Sequence, residues 1–173
     1  MLIRRETPAD ADAIRAVHAA AFAPFAPPGG TPVEPGLVDA LRADEGWLPR
    51  LSLVAEAPDG EIVGHVVCTR GRVDDVPALG LGPIGVLPRV QRRGVGQALM
   101  HAVLAAADAL DEPLVALLGH PGYYPRFGFR PAAEYGIAPP VAGWAPHFQV
   151  RTLAAYHPAI RGVFHYAGPL EPA

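Results

Sequence analysis

The segment LGPIGVLPRVQRRGVGQALMHAVL, residues 81–104, restricts the fold more than any other stretch of the chain. It opens as an apolar run of strand length and passes through a polar turn holding Gly94 and Gly96. It then continues as an alanine-rich stretch with apolar residues at helical spacing. A strand feeding a helix through glycines demands an α/β arrangement, and it also presents chemistry. The first turn of any helix carries unpaired N–H groups and the positive end of the macrodipole, and glycines let a phosphate approach that backbone closely. Arg89, Arg92 and Arg93 add positive charge. The turn therefore reads as a pyrophosphate cradle, or as a plain helix entry with permissive glycines.

Two familiar nucleotide motifs do not fit. A dinucleotide fingerprint needs a third glycine where Leu99 stands, and the turn from Leu87 to Gly94 is longer than that motif uses. A Walker loop needs Gly-Lys-Ser/Thr, and the chain has no lysine at all. The arginines are scattered and the formal net charge is -3, so no broad footprint for nucleic acid or an anionic membrane is expected. The single cysteine, Cys68, forms no intramolecular disulfide, and no CxxC pair or HExxH helix suggests a metal. The start MLIRRETPADADAI lacks the apolar region of a secretory signal, and no apolar run reaches membrane-spanning length. A cytoplasmic protein is the expectation.

The remaining elements read as one mixed α/β domain over residues 1–173. MLIRRE is a short strand. Thr7, Pro8 and Asp10 then mark the start of a helix running to about Phe22. A second helix is expected over about Val33–Arg42, followed by two strands joined by a turn at Asp59 and Gly60. A third strand covers about Leu79–Leu87, and the helix after the glycines runs from about Gly94 to Leu110. PLVALLG is another buried strand, and strands near Phe129, over HFQVRTL and within GVFHYAGPL complete the chain.

QRRGVG, Gln91 to Gly96, matches the Q/R-x-x-G-x-G/A signature of the GCN5-related N-acetyltransferase (GNAT) superfamily. With GVLP before it and YYPRFGF after it at the expected separation, the chain resembles that family along nearly its whole length. The segment GHPGYYPRFGF is similar to the GDPxYYxRFGF of a predicted-acetyltransferase subgroup, with His120 in place of the aspartate. The resemblance implies a mostly antiparallel central sheet flanked by helices, with a splayed parallel strand pair. It implies acetyl-CoA as cosubstrate without a metal, an unidentified amine acceptor, and the homodimers common in the family.

Carried over by position, the resemblance puts the pyrophosphate on the amides of about Arg92 to Gln97, which takes in Arg93, Gly94, Val95 and Gly96, with Gln91 opening the motif. Pantetheine would contact Val86, and the Ile84 amide would touch the acetyl carbonyl. Tyr124 stands at the family's interval for the tyrosine that protonates the departing thiolate, with Tyr123 as substitute. A phenol of pKa about 10 facing a thiol of about 8.5 suits that task when positioned for it.

The pattern also departs from the family. Many relatives carry a general-base glutamate where this chain has Gly80, and no acid occurs from Leu79 to Leu87. The asparagine that many relatives use for pantetheine is also missing. His120 is the foremost candidate base, ahead of Glu56, Asp74 and Asp75. A Cys68–His65 acyl-enzyme pair is disfavoured, because three residues along a strand point to opposite faces. Phe22, Phe25, Trp144 and Phe148 are candidate substrate walls or core aromatics. The function implied is acetyl transfer to a primary amine by direct attack in a ternary complex. The alternatives are a non-catalytic acyl-CoA-binding module and, less in keeping with the turn, a nicotinamide-dependent oxidoreductase.

Overall fold

Strand pairing follows the apolar runs of the sequence. In the computed structural model, which describes residues 1–173, β1 (Leu2–Arg5) leads through a 3-10 turn at Pro8–Asp10 into α1 (Ala11–Phe22). The Asp10 carboxylate accepts the Thr7 N–H at 2.7 Å and two bonds from the Arg4 guanidinium at 2.8 and 3.0 Å. These bonds satisfy a helix-start donor and fix how α1 leaves the sheet. Then come α2 (Glu34–Ala43), β2 (Ser52–Glu56), β3 (Ile62–Val73), β4 (Val76–Val86) and α3 (Val95–Ala109). The chain finishes with β5 (Leu114–Leu118), β6 (Arg130–Pro131), β7 (Ile137–Ala138), β8 (Phe148–Thr152) and β9 (Gly162–His165).

The main sheet has the order β1-β2-β3-β4-β5-β8-β6. Every neighbouring pair along it is antiparallel except β4 and β5. The Asp74-Asp75 turn makes β3 and β4 a long hairpin, with Val73 opposite Val76. On one face α3 buries Val95, Leu99, Met100 and Val103 against the sheet in the largest core cluster. The other face carries α1 and α2, with Ile14, Val17 and Val38 around Val54 and Ile62. Phe148, Phe164 and Val150 build a further core under the C-terminal strands. A bidentate pair from Arg70 to Glu112, at 2.6 and 2.8 Å, ties β3 to the residues entering β5. No helix is long and apolar enough to cross a membrane.

The parallel pairing is brief. β4 and β5 meet only at Leu79 opposite Val115 and Gly80 opposite Ala116. Beyond these residues β4 runs on to Val86 and β5 to Leu118 with no ladder between them, so the sheet opens into a V. This is the mixed, mostly antiparallel sheet with a splayed parallel pair that was expected. Helix and strand boundaries lie within a few residues of their sequence reading. The pairings of β9 were not foreseen: it joins the far end of β3 at Arg72 and Val73 and runs parallel to β7.

Candidate functional site

The glycine turn lies at the mouth of this V. Gly94 caps α3 with φ 85°, and Arg92 also has a positive φ of 61°. The left-handed region is natural for glycine and costly for arginine, so the turn holds a strained backbone at its centre. The first intrahelical bond of α3 runs from the Ala98 N–H to the Gly94 carbonyl at 3.0 Å. The backbone amides from Arg92 to Gln97 have no backbone acceptor within the chain, and no side chain caps the helix. Such a row of free donors at the positive end of a helix is a site for an anion.

β4 adds further donors. The Leu87 N–H donates to the Val63 carbonyl of β3 at 2.9 Å. Peptide direction alternates along a strand, so the amides of Ile84 and Val86 face the opposite, open edge. The Gln91 side chain donates to the Val86 carbonyl at 3.0 Å and braces the turn against the strand. An extended ligand entering the V thus meets free backbone donors at two places, the β4 edge at Ile84 and Val86 and the turn from Arg92 to Gln97.

Two adjoining cavities occupy the V. The larger, about 570 Å³, is a groove along the turn lined by Val86, Gln91, Arg92, Gly94, Gly96 and Gln97, among others. A Cβ placed on Gly96 would lie 3.6 Å from the Tyr123 hydroxyl and 3.8 Å from a Val86 methyl, so the bare glycine keeps the groove open. Arg126 stacks on the Tyr123 ring, 4.4 Å from its centroid, and both line the groove. The second cavity, about 330 Å³, lies between the diverging ends of β4 and β5. Ile84 and Phe22 line both cavities, so an occupant of one touches the reach of the other. Tyr124 faces the second.

Comparison with known proteins bears on this geometry. The profile of the acetyltransferase (GNAT) domain matches residues 2–132. This chain belongs to the GNAT acetyltransferase family. It is 37% identical over 170 residues to the uncharacterized N-acetyltransferase YjhQ of Escherichia coli, covering 94% of this chain and 90% of that one. The crystal structure of the Escherichia coli GNAT protein YhbS in complex with CoA superposes with a TM-score of 0.87 at 29% identity. That match covers 97% of this chain and 90% of the other. A GNAT acetyltransferase of Brucella melitensis in complex with acetyl-CoA gives a TM-score of 0.80 at 34% identity, over 98% and 97% of the two chains.

Against the GNAT pattern, the position of the strand glutamate is structurally closed. A Cβ on Gly80 would sit 2.7 Å from a ring carbon of Tyr166, whose side chain crosses from the C-terminal segment and lines the second cavity. No side chain fits at position 80 while Tyr166 is there. Tyr124 is seated in a similar way: a Cβ on Gly119 would overlap its ring, so the glycine at the end of β5 makes room for the phenol. Burial pushes the Tyr124 pKa upward, with a smaller contribution from Tyr123.

The charged and histidine candidates for a base fall outside the cavities. His120 is exposed, and its Nδ1 accepts the Gly122 N–H at 2.9 Å, which holds the turn before Tyr123. It lines neither cavity. Glu56 is paired with Arg4, and Asp74 accepts the Val163 N–H in the far hairpin. Arg93 is exposed off the groove, and Val95 buries its side chain under α3. Phe22, Phe25 and Trp144 do line cavity walls, whereas Phe148 is core, because its strand position points it at Phe164. Cys68 is fully buried, and burial raises its thiol pKa far above the ordinary range.

One polar feature near the site escaped sequence reading. His18 of α1 and His65 of β3 are fully buried, with His18 Nε2 2.8 Å from His65 Nδ1 and His65 Nε2 2.8 Å from Ser52 Oγ. Ser52 donates to Glu6, which also accepts from Arg42 Nε at 2.9 Å. A single direction satisfies the chain: His18 donates to His65, His65 to Ser52 and Ser52 to the carboxylate. Burial opposes ionisation of Glu6, but the nearby His65 ring N–H and the bonds from Ser52 and Arg42 outweigh it and hold the carboxyl at about 2. Burial, then the neighbouring His65, pulls His18 down to about 3. Burial likewise lowers His65. His18 stacks on Phe22 at 5.9 Å, and its Nδ1 lies 2.8 Å from where a Gly85 Cβ would stand. The relay therefore buttresses both Phe22 and the β4 edge.

Proposed function

We propose that the chain is an acetyl-CoA-dependent N-acetyltransferase that passes its acetyl group directly to a primary amine in a ternary complex. The observation that carries this reading is the free amides at two places, Ile84 and Val86 on the β4 edge and Arg92 to Gln97 in the turn, beside a groove that glycines keep open. GNAT relatives that hold CoA or acetyl-CoA support it. Acetyl-CoA supplies an acyl group activated as a thioester. The Arg92–Gln97 amides and the Arg92 side chain bind pyrophosphate, and the Val86 edge aligns pantetheine. The Ile84 N–H donates to the acetyl oxygen, where negative charge grows during attack.

A nitrogen–carbon bond forms and the carbon–sulfur bond breaks, so the nitrogen must lose a proton and the sulfur must gain one. The Tyr124 hydroxyl holds the proton for sulfur, and its burial keeps it protonated at neutral pH. No carboxylate on β4 takes the amine proton. The absence of a side chain at Gly80 favours, as the second reading, a module that binds acyl-CoA without chemistry.

Thiol release from acetyl-CoA across an amine panel separates the two: binding without release favours the second. Tyr124→Phe is expected to lower kcat by about 10²-fold or more, the ordinary worth of a placed general acid. Unchanged turnover and pH profile would remove Tyr124 from the mechanism.

A further inference from the structure

The cavity beside Tyr124 bears on the acceptor. Its volume, about 330 Å³, is at the small end of the roughly 300–1,000 Å³ typical of small-molecule sites. Its walls are mostly apolar, with Leu37, Leu118, Trp144 and Leu170 around the opening between the strands. A single ionised residue lines it, Glu34 in the first turn of α2. Glu34 forms no ion pair within the chain. No arginine or histidine lines the cavity, and the Tyr166 ring fills the space of the strand glutamate at Gly80. The only charge offered to an acceptor is thus negative and comes from α2.

Building on the acetyltransferase reading, we infer that the acceptor is a small primary amine with an apolar body and no carboxylate, its ammonium group held by Glu34. The apolar body replaces water against Trp144 and the leucines, and the ammonium compensates a carboxylate left without a partner. An amino acid with the same side chain would bring its own carboxylate into an apolar cavity that holds no cation. It would pay for desolvation without a counter-charge and meet repulsion from Glu34. Ile84 belongs to both cavities, so an amine held here reaches the acetyl end of the groove. Before attack the ammonium gives one proton to Glu34 or to water, and the free nitrogen then bonds to the acetyl carbon.

The test uses the full chain with two matched pairs, phenethylamine against phenylalanine and tryptamine against tryptophan. Binding to the desulfo-CoA complex is measured by calorimetry, and thiol release from acetyl-CoA is followed in parallel. The amines are expected to bind saturably and to exceed their amino acids by about 10-fold or more in kcat/KM, the worth of one charge-assisted contact. Glu34→Gln is expected to raise the amine KM about 10- to 100-fold, leave acetyl-CoA binding unchanged and lower Tm by no more than about 4 °C, the worth of a helix-start acid. Trp144→Ala should weaken the amines without restoring the amino acids. Failure of both amines to bind, equal use of amino acids, preference for a peptide amine, or a Glu34→Gln protein with unaltered amine KM overturns the inference. Absence of CoA binding is read separately and overturns the acetyltransferase reading instead.

Discussion

Gly85→Ala isolates the coupling between the buried relay and the β4 edge. The added methyl would stand 2.8 Å from His18 Nδ1, 3.1 Å from its Cε1 and 3.4 Å from the Ala21 methyl. A carbon–nitrogen contact needs roughly 3.4 Å or more, so the ring must retreat by about 0.6 Å. It has no free space to do so, being fully buried, bonded to His65 at 2.8 Å and stacked on Phe22. Overpacking costs about 1–3 kcal/mol, and a weakened buried hydrogen bond adds about 1 kcal/mol. The lower chain entropy of alanine in the unfolded state returns about 0.4–1 kcal/mol. The net expectation is a loss of about 2 kcal/mol, or a Tm lower by about 4–8 °C for a chain of this size. Urea unfolding at pH 7.5, followed by circular dichroism, reads it directly. In a His18→Ala background the same methyl enters vacated space and should be neutral or slightly stabilising, which gives a coupling energy of about 2 kcal/mol. An equal cost in both backgrounds would refute the steric argument.

Acidification is expected to destabilise the fold well above the carboxylate range. His18 titrates at about 3 in the folded chain and at about 6.5 when unfolded, so between these values the unfolded state binds the extra proton. Stability present above pH 6.5 is therefore lost as pH falls, by about 2 kcal/mol from His18 alone at pH 5. Equal unfolding free energies at pH 7.5 and 5.0 would contradict this. Gly96→Leu should fill the groove and weaken acetyl-CoA binding by at least about 10-fold, with thermal melting showing an intact fold. Gly119→Ala should displace the Tyr124 ring and lower kcat more than the KM for acetyl-CoA, which steady-state kinetics would register. Cys68 should resist a thiol reagent in the native protein and react on unfolding; native reactivity would argue against its burial.

The parts of the site that lie along one stretch of chain were legible in the sequence. Apolar periodicity before and after Gly94 and Gly96 marks the strand and helix, and two glycines so close together in an arginine-rich turn suit an anion seated against bare backbone. The placement of Cys68 and His65 on opposite faces followed from strand alternation and is what the structure shows, with Cys68 in the α3-side core and His65 against α1. What was not legible depends on residues distant in sequence meeting in space. Tyr166 covers Gly80 from the far end of the chain, and His18 meets His65 across 47 residues. Glu34 carries no signal beyond an ordinary helix-start acid, a role that the helix dipole favours by itself. The two-residue strands β6 and β7 have no periodicity to read and exist only through their partners β8 and β9. Sequence left Phe148, at the start of the expected strand HFQVRTL, as either a substrate wall or a core aromatic, and pairing with Leu118 decides for the core.

Calorimetric titration of the folded chain with acetyl-CoA, set beside NADH and the Gly96→Leu variant, tests the central assignment of the glycine groove most directly. Saturable binding of acetyl-CoA, no binding of NADH and loss of the signal in Gly96→Leu are the predicted results. A folded protein that binds no acetyl-CoA, or binds it equally well with the groove filled, would contradict the assignment.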